Sequence, residues 1–177
     1  TNTLIKHHLL LVMQSTISSF FTKNKHNAVN KHDTTNTICS KICSKPTEYV
    51  LFFDGCSKRN PGPAGAGAVI YHNGVEIWSK SLFVGNKETN NVAEYMGMII
   101  GIEEAKKRGI HKLLIKGDSN LVIQQMNGRY KVKSHNLIKL YLRARKSVET
   151  FHSIEFQHVY RIDNKRADEL ANIGLTH

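Results

Sequence analysis

The sequence has few cysteines, no long apolar run and, in its first quarter, almost no acid. Three cysteines, Cys39, Cys43 and Cys56, are too few and too odd in number for a disulfide framework. That excludes a small disulfide-stapled module and fits a reducing, intracellular setting. No stretch approaches the ~18 apolar residues of a membrane span, so no membrane partner is expected. The longest apolar run near the start, Leu9 to Met13, is too short for a signal-peptide core. No internal repeat is present. Acidic residues are outnumbered, 14 against 25 basic ones, for a net charge of +11. Such an excess favours a polyanionic partner, most simply nucleic acid. Taken alone, it fits a solvated basic surface equally well.

What is present divides in two. Residues 1–46 are rich in Lys, His, Asn, Ser and Thr, and carry six lysines, one acid (Asp33) and no arginine. This segment reads as a disordered basic leader. It is basic, hydroxyl-rich and acid-poor like a targeting segment, while its lack of Arg counts against a transit peptide. The chain starts with Thr1 rather than Met, so the true start is expected upstream. Cys39 and Cys43 with His26 and His32 offer zinc-ligand types, but the spacing is irregular and there is no second cysteine pair. The remaining residues, 47–177, carry +6 by themselves and read as one domain.

Order is expected from Tyr49. Tyr49 to Phe53 is a buried-strand run ending at Asp54, and a Gly/Pro/Asn loop follows through Pro63. Ala64–Tyr71 and Val75–Val84 read as strands joined by Asn73-Gly74, the dipeptide of a type I′ hairpin. Val92, Met96, Ile99 and Ile102 predict a helix over 91–108, with Gly97 and Gly101 on one face for close packing on a sheet. Gly109 ends it. Lys112–Lys116 is a short strand with Asp118 past its end, and Ser119 is a candidate N-cap for a helix through Met126. A helix over 135–151, a strand over 154–160 and a helix over 164–173 complete the order β-β-β-α-β-α-α-β-α. The fold class is α/β, a mixed sheet flanked by helices. The first and fourth strands are expected to be parallel neighbours through a right-handed crossover. Sites in such sheets gather at the carboxyl ends of strands.

Four carboxylates then stand out. Asp54 and Asp118 each follow the apolar part of a strand, Glu94 lies in the first turn of a helix, and Asp168 lies in the first turns of the last one. Each alone has a bland explanation, such as an acid that suits a helix dipole. Together at one spot they repel as bare anions. They then need hard cations with oxygen ligands, Mg²⁺ or Mn²⁺. Two such ions ~3.5–4 Å apart can activate a water and stabilise the leaving oxygen in phosphodiester hydrolysis.

The local contexts carry a family resemblance. Phe53-Asp54-Gly55-Cys56-Ser57 with Asn60-Pro61-Gly62-Pro63-Ala64-Gly65, then Thr89-Asn90-Asn91-Val92-Ala93-Glu94-Tyr95, Lys116-Gly117-Asp118-Ser119 and Asn164-Lys165-Arg166-Ala167-Asp168-Glu169-Leu170-Ala171 resemble, in order, the four motifs of type 1 ribonucleases H. The match spans about residues 49–175. The resemblance implies a five-stranded mixed sheet with three antiparallel strands. It also implies an endonuclease that cuts the RNA strand of RNA–DNA hybrids with Mg²⁺ and leaves 5′-phosphate ends. Asp54, Glu94, Asp118 and Asp168 take the catalytic and metal-ligand positions. Gly55, Cys56, Asn60, Thr89, Asn90, Asn91 and Asn120 take positions that contact the hybrid, Thr89 on a DNA-strand phosphate. RNA differs from DNA in a 2′-hydroxyl that donates and accepts, which backbone and amide groups can meet. Thr89, Asn90 and Asn91 are equally N-cap candidates, and the two roles are compatible. A monomer is expected.

The pattern departs from the family at two places. Longer members carry a His in a loop before the last helix. Here Arg161-Ile162-Asp163 leaves almost no loop, and His158 falls within the last strand, where it reads as a packed or surface residue. Arg161 is a candidate neighbour of the substrate phosphate. The basic protrusion of larger members is also missing, since 127–134 is too short for a helix. Tyr130, Lys131 and Lys133 form a reduced basic-aromatic patch there. Short-loop members are the nearer resemblance. Three alternatives remain: a non-catalytic ribonuclease H-like nucleic-acid-binding module, a DNA nuclease of related fold, and a domain detached from a reverse transcriptase. Intact carboxylates speak against the first, and Thr89-Asn90-Asn91 against the second. The third concerns origin rather than chemistry.

Overall fold

The structure, a computed structural model, describes residues 48–176. The leader at 1–46, with Cys39, Cys43, His26 and His32, lies outside them. Strand β1 (Tyr49–Ser57) runs three residues past Asp54, because β2 (Gly62–His72) keeps pairing with it antiparallel from Tyr49↔His72 to Ser57↔Ala64. Backbone ladders need no apolar side chains, so the ladder passes through a stretch that looks like a loop. Strand β3 (Val75–Glu88) likewise outruns its apolar part and pairs antiparallel with β2. Between β2 and β3, Asn73 (φ 51°) and Gly74 (φ 82°) are both left-handed, as a type I′ turn requires.

Helix α1 (Asn90–Lys107) returns the chain to β4 (Lys112–Gly117), which lies parallel to β1 with Val50↔Leu114 and Phe53↔Gly117 in register. Gly109 (φ 70°) follows its C-cap. Helices α2 (Asn120–Met126) and α3 (His135–Val148) lead to β5 (Ser153–His158), parallel to β4. A 3₁₀ turn at Arg161–Asp163 precedes α4 (Lys165–Gly174). The sheet order is β3-β2-β1-β4-β5. Ser119 occupies the N-cap of α2 as expected, but its side chain makes no cap hydrogen bond.

The main core lies between one face of the sheet and α1, α2 and α3. It is built on Leu51, Phe53, Ile115, Tyr95, Met98, Ile99, Ile102, Val122 and Leu137. α1 packs on both the sheet and α3, so it is buried on more than one side. This explains why Tyr95 and Met98 are core residues while Met96, on the expected stripe, is half-buried. Gly97 and Gly101 are the points of closest approach. A Cβ on Gly97 would lie 2.6 Å from the Asp54 carbonyl oxygen, and one on Gly101 2.3 Å from Leu51 Cδ1. α4 covers the opposite face, packing Ala167 and Leu170 on Val69 beside Phe52 and Tyr71. No helix among the described residues is long and apolar enough to cross a membrane.

Candidate active site

The parallel register sets the first two carboxylates. Phe53 pairs with Gly117, so the next residues, Asp54 and Asp118, emerge side by side at the carboxyl ends of β1 and β4. The third is placed by a missing side chain. A Cβ on Gly55 would lie 2.1 Å from the Glu94 backbone nitrogen, so only glycine lets α1 rest on β1 there. Glu94 starts the second turn of α1 rather than sitting in the first, since the helix begins at Asn90. Carboxylate oxygens of Asp54, Glu94 and Asp118 thereby all fall within 4.8 Å of one another. Asp54 and Glu94 are only 4 % and 5 % exposed, which removes most of the water that would screen them.

This crowding has an electrostatic signature. Burial, then the charges of Asp118 and Asp168, push the Asp54 carboxyl from 3.8 up to about 8. Burial, then Asp54 and Asp118, hold Glu94 well above its ordinary value, against the opposing pull of Arg161 and the Gly55 N–H. Burial also pushes the Cys56 thiol up. Glu94 Oε2 is buried without a hydrogen-bond partner. A buried, unpartnered oxygen on a carboxylate that clusters with two others fits a hard divalent cation better than it fits a closed hydrogen-bond network.

Asp168 stands apart from that trio. From the first turn of α4 its Oδ1 accepts from the Arg161 guanidinium, and its charge still reaches Asp54. Arg161 also feels Asp54 and Asp118. Asn164, the N-cap residue of α4, is 1 % exposed. Its Nδ2 donates to the Phe53 carbonyl and to Asp118 Oδ1, both at 2.9 Å. His158, exposed at the end of β5, donates from Nε2 to the Asp118 carbonyl at 3.1 Å.

The residues expected to meet nucleic acid lie around this cluster, on the β1–β2 turn and the starts of α1 and α2. Asn60 Oδ1 accepts from the Asn90 N–H at 2.8 Å, and Asn90 Oδ1 accepts from the Ser57 N–H at 3.1 Å. Thr89 caps α1, its Oγ1 accepting from the Val92 N–H at 3.3 Å. Asn91 is exposed on the first turn of α1. Asn120 is exposed at the start of α2, where its Oδ1 accepts from Gln124 Nε2 at 3.1 Å. Gly55 is buried and Cys56 half-buried on β1. Asn164 is what sequence reasoning passed over as a participant, and the pairing of Arg161 with Asp168 joins two residues that the sequence had singled out separately. An Asn before a helix signals a cap, and nothing local says that its side chain turns inward.

The "Reverse transcriptase-like" family model matches residues 52–174. The chain is 44 % identical over 131 residues to a bifunctional protein of Mycobacterium tuberculosis, covering 72 % of this chain and 35 % of that protein. It thus spans about a third of that relative's length. It is 33 % identical over 139 residues to ribonuclease H of Pseudomonas savastanoi, covering 71 % of this chain and 91 % of that enzyme. Among solved structures, the N-terminal RNase H domain of the M. tuberculosis protein superposes with a TM-score of 0.71 at 40 % identity, covering 73 % of this chain and 94 % of that one. An RNase H1 in complex with an RNA/DNA hybrid superposes with a TM-score of 0.69 at 32 % identity, covering 73 % and 97 %. With its mixed sheet and its three clustered carboxylates, the chain belongs to the ribonuclease H family, whose members are metal-dependent nucleases.

Proposed function

We propose that this chain is an endoribonuclease that hydrolyses the RNA strand of RNA–DNA hybrids, with Mg²⁺, or Mn²⁺ in its place, held by Asp54, Glu94, Asp118 and Asp168. The observation that carries the reading is the clustered trio, two of its members buried, with its unpartnered Glu94 Oε2. A pure binding module gains nothing from such a cluster, since uncompensated acids repel phosphates. Asp54, Glu94, Asp118 and Asp168 would hold the divalent ions, which would supply Lewis acidity and an activated water.

The chain's own residues do the rest. The β1–β4 register and Gly55 bring three carboxylates together before any ligand arrives, so little reorganisation is left for the reaction. Asn60 and Asn90, tied to each other and to β1, present amide groups for the hybrid beside the Thr89 hydroxyl and the exposed Asn91 amide, with Gly55, Cys56 and Asn120 nearby. Such groups can meet the 2′-hydroxyls that mark the RNA strand. Hydrolysis leaving 5′-phosphate ends bonds a water oxygen to phosphorus while the P–O3′ bond breaks and O3′ leaves as a hydroxyl. The basic balance of 47–177 favours encounter with a polyanion. The reading includes a monomer, which sedimentation velocity tests.

Cleavage of a hybrid with an end-labelled RNA strand tests the activity, run in Mg²⁺, in Mn²⁺ and in EDTA beside RNA and DNA duplexes. Metal-dependent cutting of the hybrid's RNA alone, lost in Asp118→Asn, is expected. Binding without cutting in either metal would instead identify a non-catalytic module.

A further inference from the structure

We propose that Asn164 is the positioning residue that sets the Asp118 carboxylate for metal binding, an inference that rests on the hydrolase reading above. An Asn at a helix N-cap ordinarily turns its side-chain oxygen back to a first-turn N–H. Asn164 makes no such bond. Its side chain points inward, and one Nδ2 serves two acceptors on two other elements, the Phe53 carbonyl on β1 and Asp118 Oδ1 after β4. Reversing the amide would set its oxygen against a carbonyl and a carboxylate, so the donor orientation is the only compatible one. Its Oδ1 is left buried without a partner. The helix therefore forgoes a cap bond and buries an orphan acceptor, both unfavourable, in order to hold one carboxylate.

The same residue also links the other carboxylates. Its backbone carbonyl accepts from the Asp168 N–H at 3.1 Å, starting the turn that presents Asp168. Phe53, whose carbonyl it holds, directly precedes Asp54. Asp118 is half-buried and lies outside β4, so its side chain depends on such contacts for a fixed orientation. His158 restrains only its backbone carbonyl. Partners that orient ligating carboxylates typically change metal affinity by 10–100-fold when removed.

The test is direct Mn²⁺ binding to the full chain by electron paramagnetic resonance, without substrate. Wild type is compared with Asn164→Ala and Asn164→Ser, neither of which can span both acceptors. About tenfold weaker Mn²⁺ binding is expected in both. In hybrid cleavage, the half-saturating Mg²⁺ concentration should rise by a similar factor, with KM for the hybrid within twofold and kcat restored within threefold at saturating Mg²⁺. A loss of Mn²⁺ affinity below fivefold in a folded variant overturns the inference. So does a rate loss that saturating Mg²⁺ fails to restore, and so does failure of both variants to fold with Mn²⁺ present, which assigns Asn164 to the fold alone. Wild type that binds no Mn²⁺ sinks the hydrolase reading instead, a separate outcome.

Discussion

Asp54→Asn should stabilise the metal-free protein in mildly alkaline solution while abolishing its response to Mg²⁺. Asp54 is 4 % exposed and faces two other acids, so its carboxyl is pushed from 3.8 up to about 8. A carboxyl with a raised folded-state pKa binds protons more tightly folded than unfolded. Its contribution to stability is full below about pH 4 and is lost as pH rises through about 8. At ~1.4 kcal/mol per pH unit that interval corresponds to about 6 kcal/mol as a ceiling. Counter-ions and residual solvent reduce the expectation to ~2–3 kcal/mol. For a folded domain of this size that is roughly 10 °C in Tm. Calorimetry in EDTA from pH 5 to pH 8.5 should therefore show wild type losing about 10 °C relative to Asp54→Asn, which holds its shape and carries no charge. Comparison with the variant cancels the pH-dependent contributions common to both proteins. Mg²⁺ at pH 8.5 should restore wild type and leave the variant unmoved. A difference between the two proteins that stays constant across this range would refute burial and repulsion as the cause.

Other substitutions separate the site from its scaffold. Gly55→Ala forces a Cβ into the Glu94 backbone, 2.1 Å away, and should lower hybrid cleavage at least 100-fold with an overpacking loss of ~1–3 kcal/mol in denaturant melts. Tyr95→Phe removes the 2.7 Å bond to buried Gln125 Oε1; stability should fall by ~1–2 kcal/mol with cleavage within threefold of wild type. Thr89→Ala removes the α1 cap and should cost about 1 kcal/mol by thermal melt, which Thr89→Ser recovers. Hybrid KM for the same pair shows whether Thr89 also contacts substrate, since capping alone leaves KM unchanged. Arg166→Ala breaks only partly exposed pairs with Glu76 and Glu169, and urea melts should show less than ~1 kcal/mol.

Much of the architecture was legible in the chain because its signals are local. The Asn73-Gly74 turn, Gly109 after α1 and the short apolar run of β4 depend on residues near in sequence, and each stands where expected. The extents of β1 and β3 were not legible, since their last residues are held by a neighbouring strand rather than by apolar character. The helical stripe on α1 was only partly legible, because packing on both the sheet and α3 buries residues such as Tyr95 that a one-sided pattern leaves out.

The sequence by itself determined the inventory: four acids in four motifs, the order of strands and helices, and a basic domain suited to a polyanion. Tertiary structure alone decided how those acids differ. Three converge within 4.8 Å, while Asp168 is held by Arg161. Only the fold leaves Glu94 Oε2 without a partner and turns Asn164 inward to a carbonyl 111 residues away. Turns and periodicity arise from neighbours along the chain. Burial, repulsion and the direction of a side chain depend on every group that folding brings close, and those partners come from distant parts of the sequence.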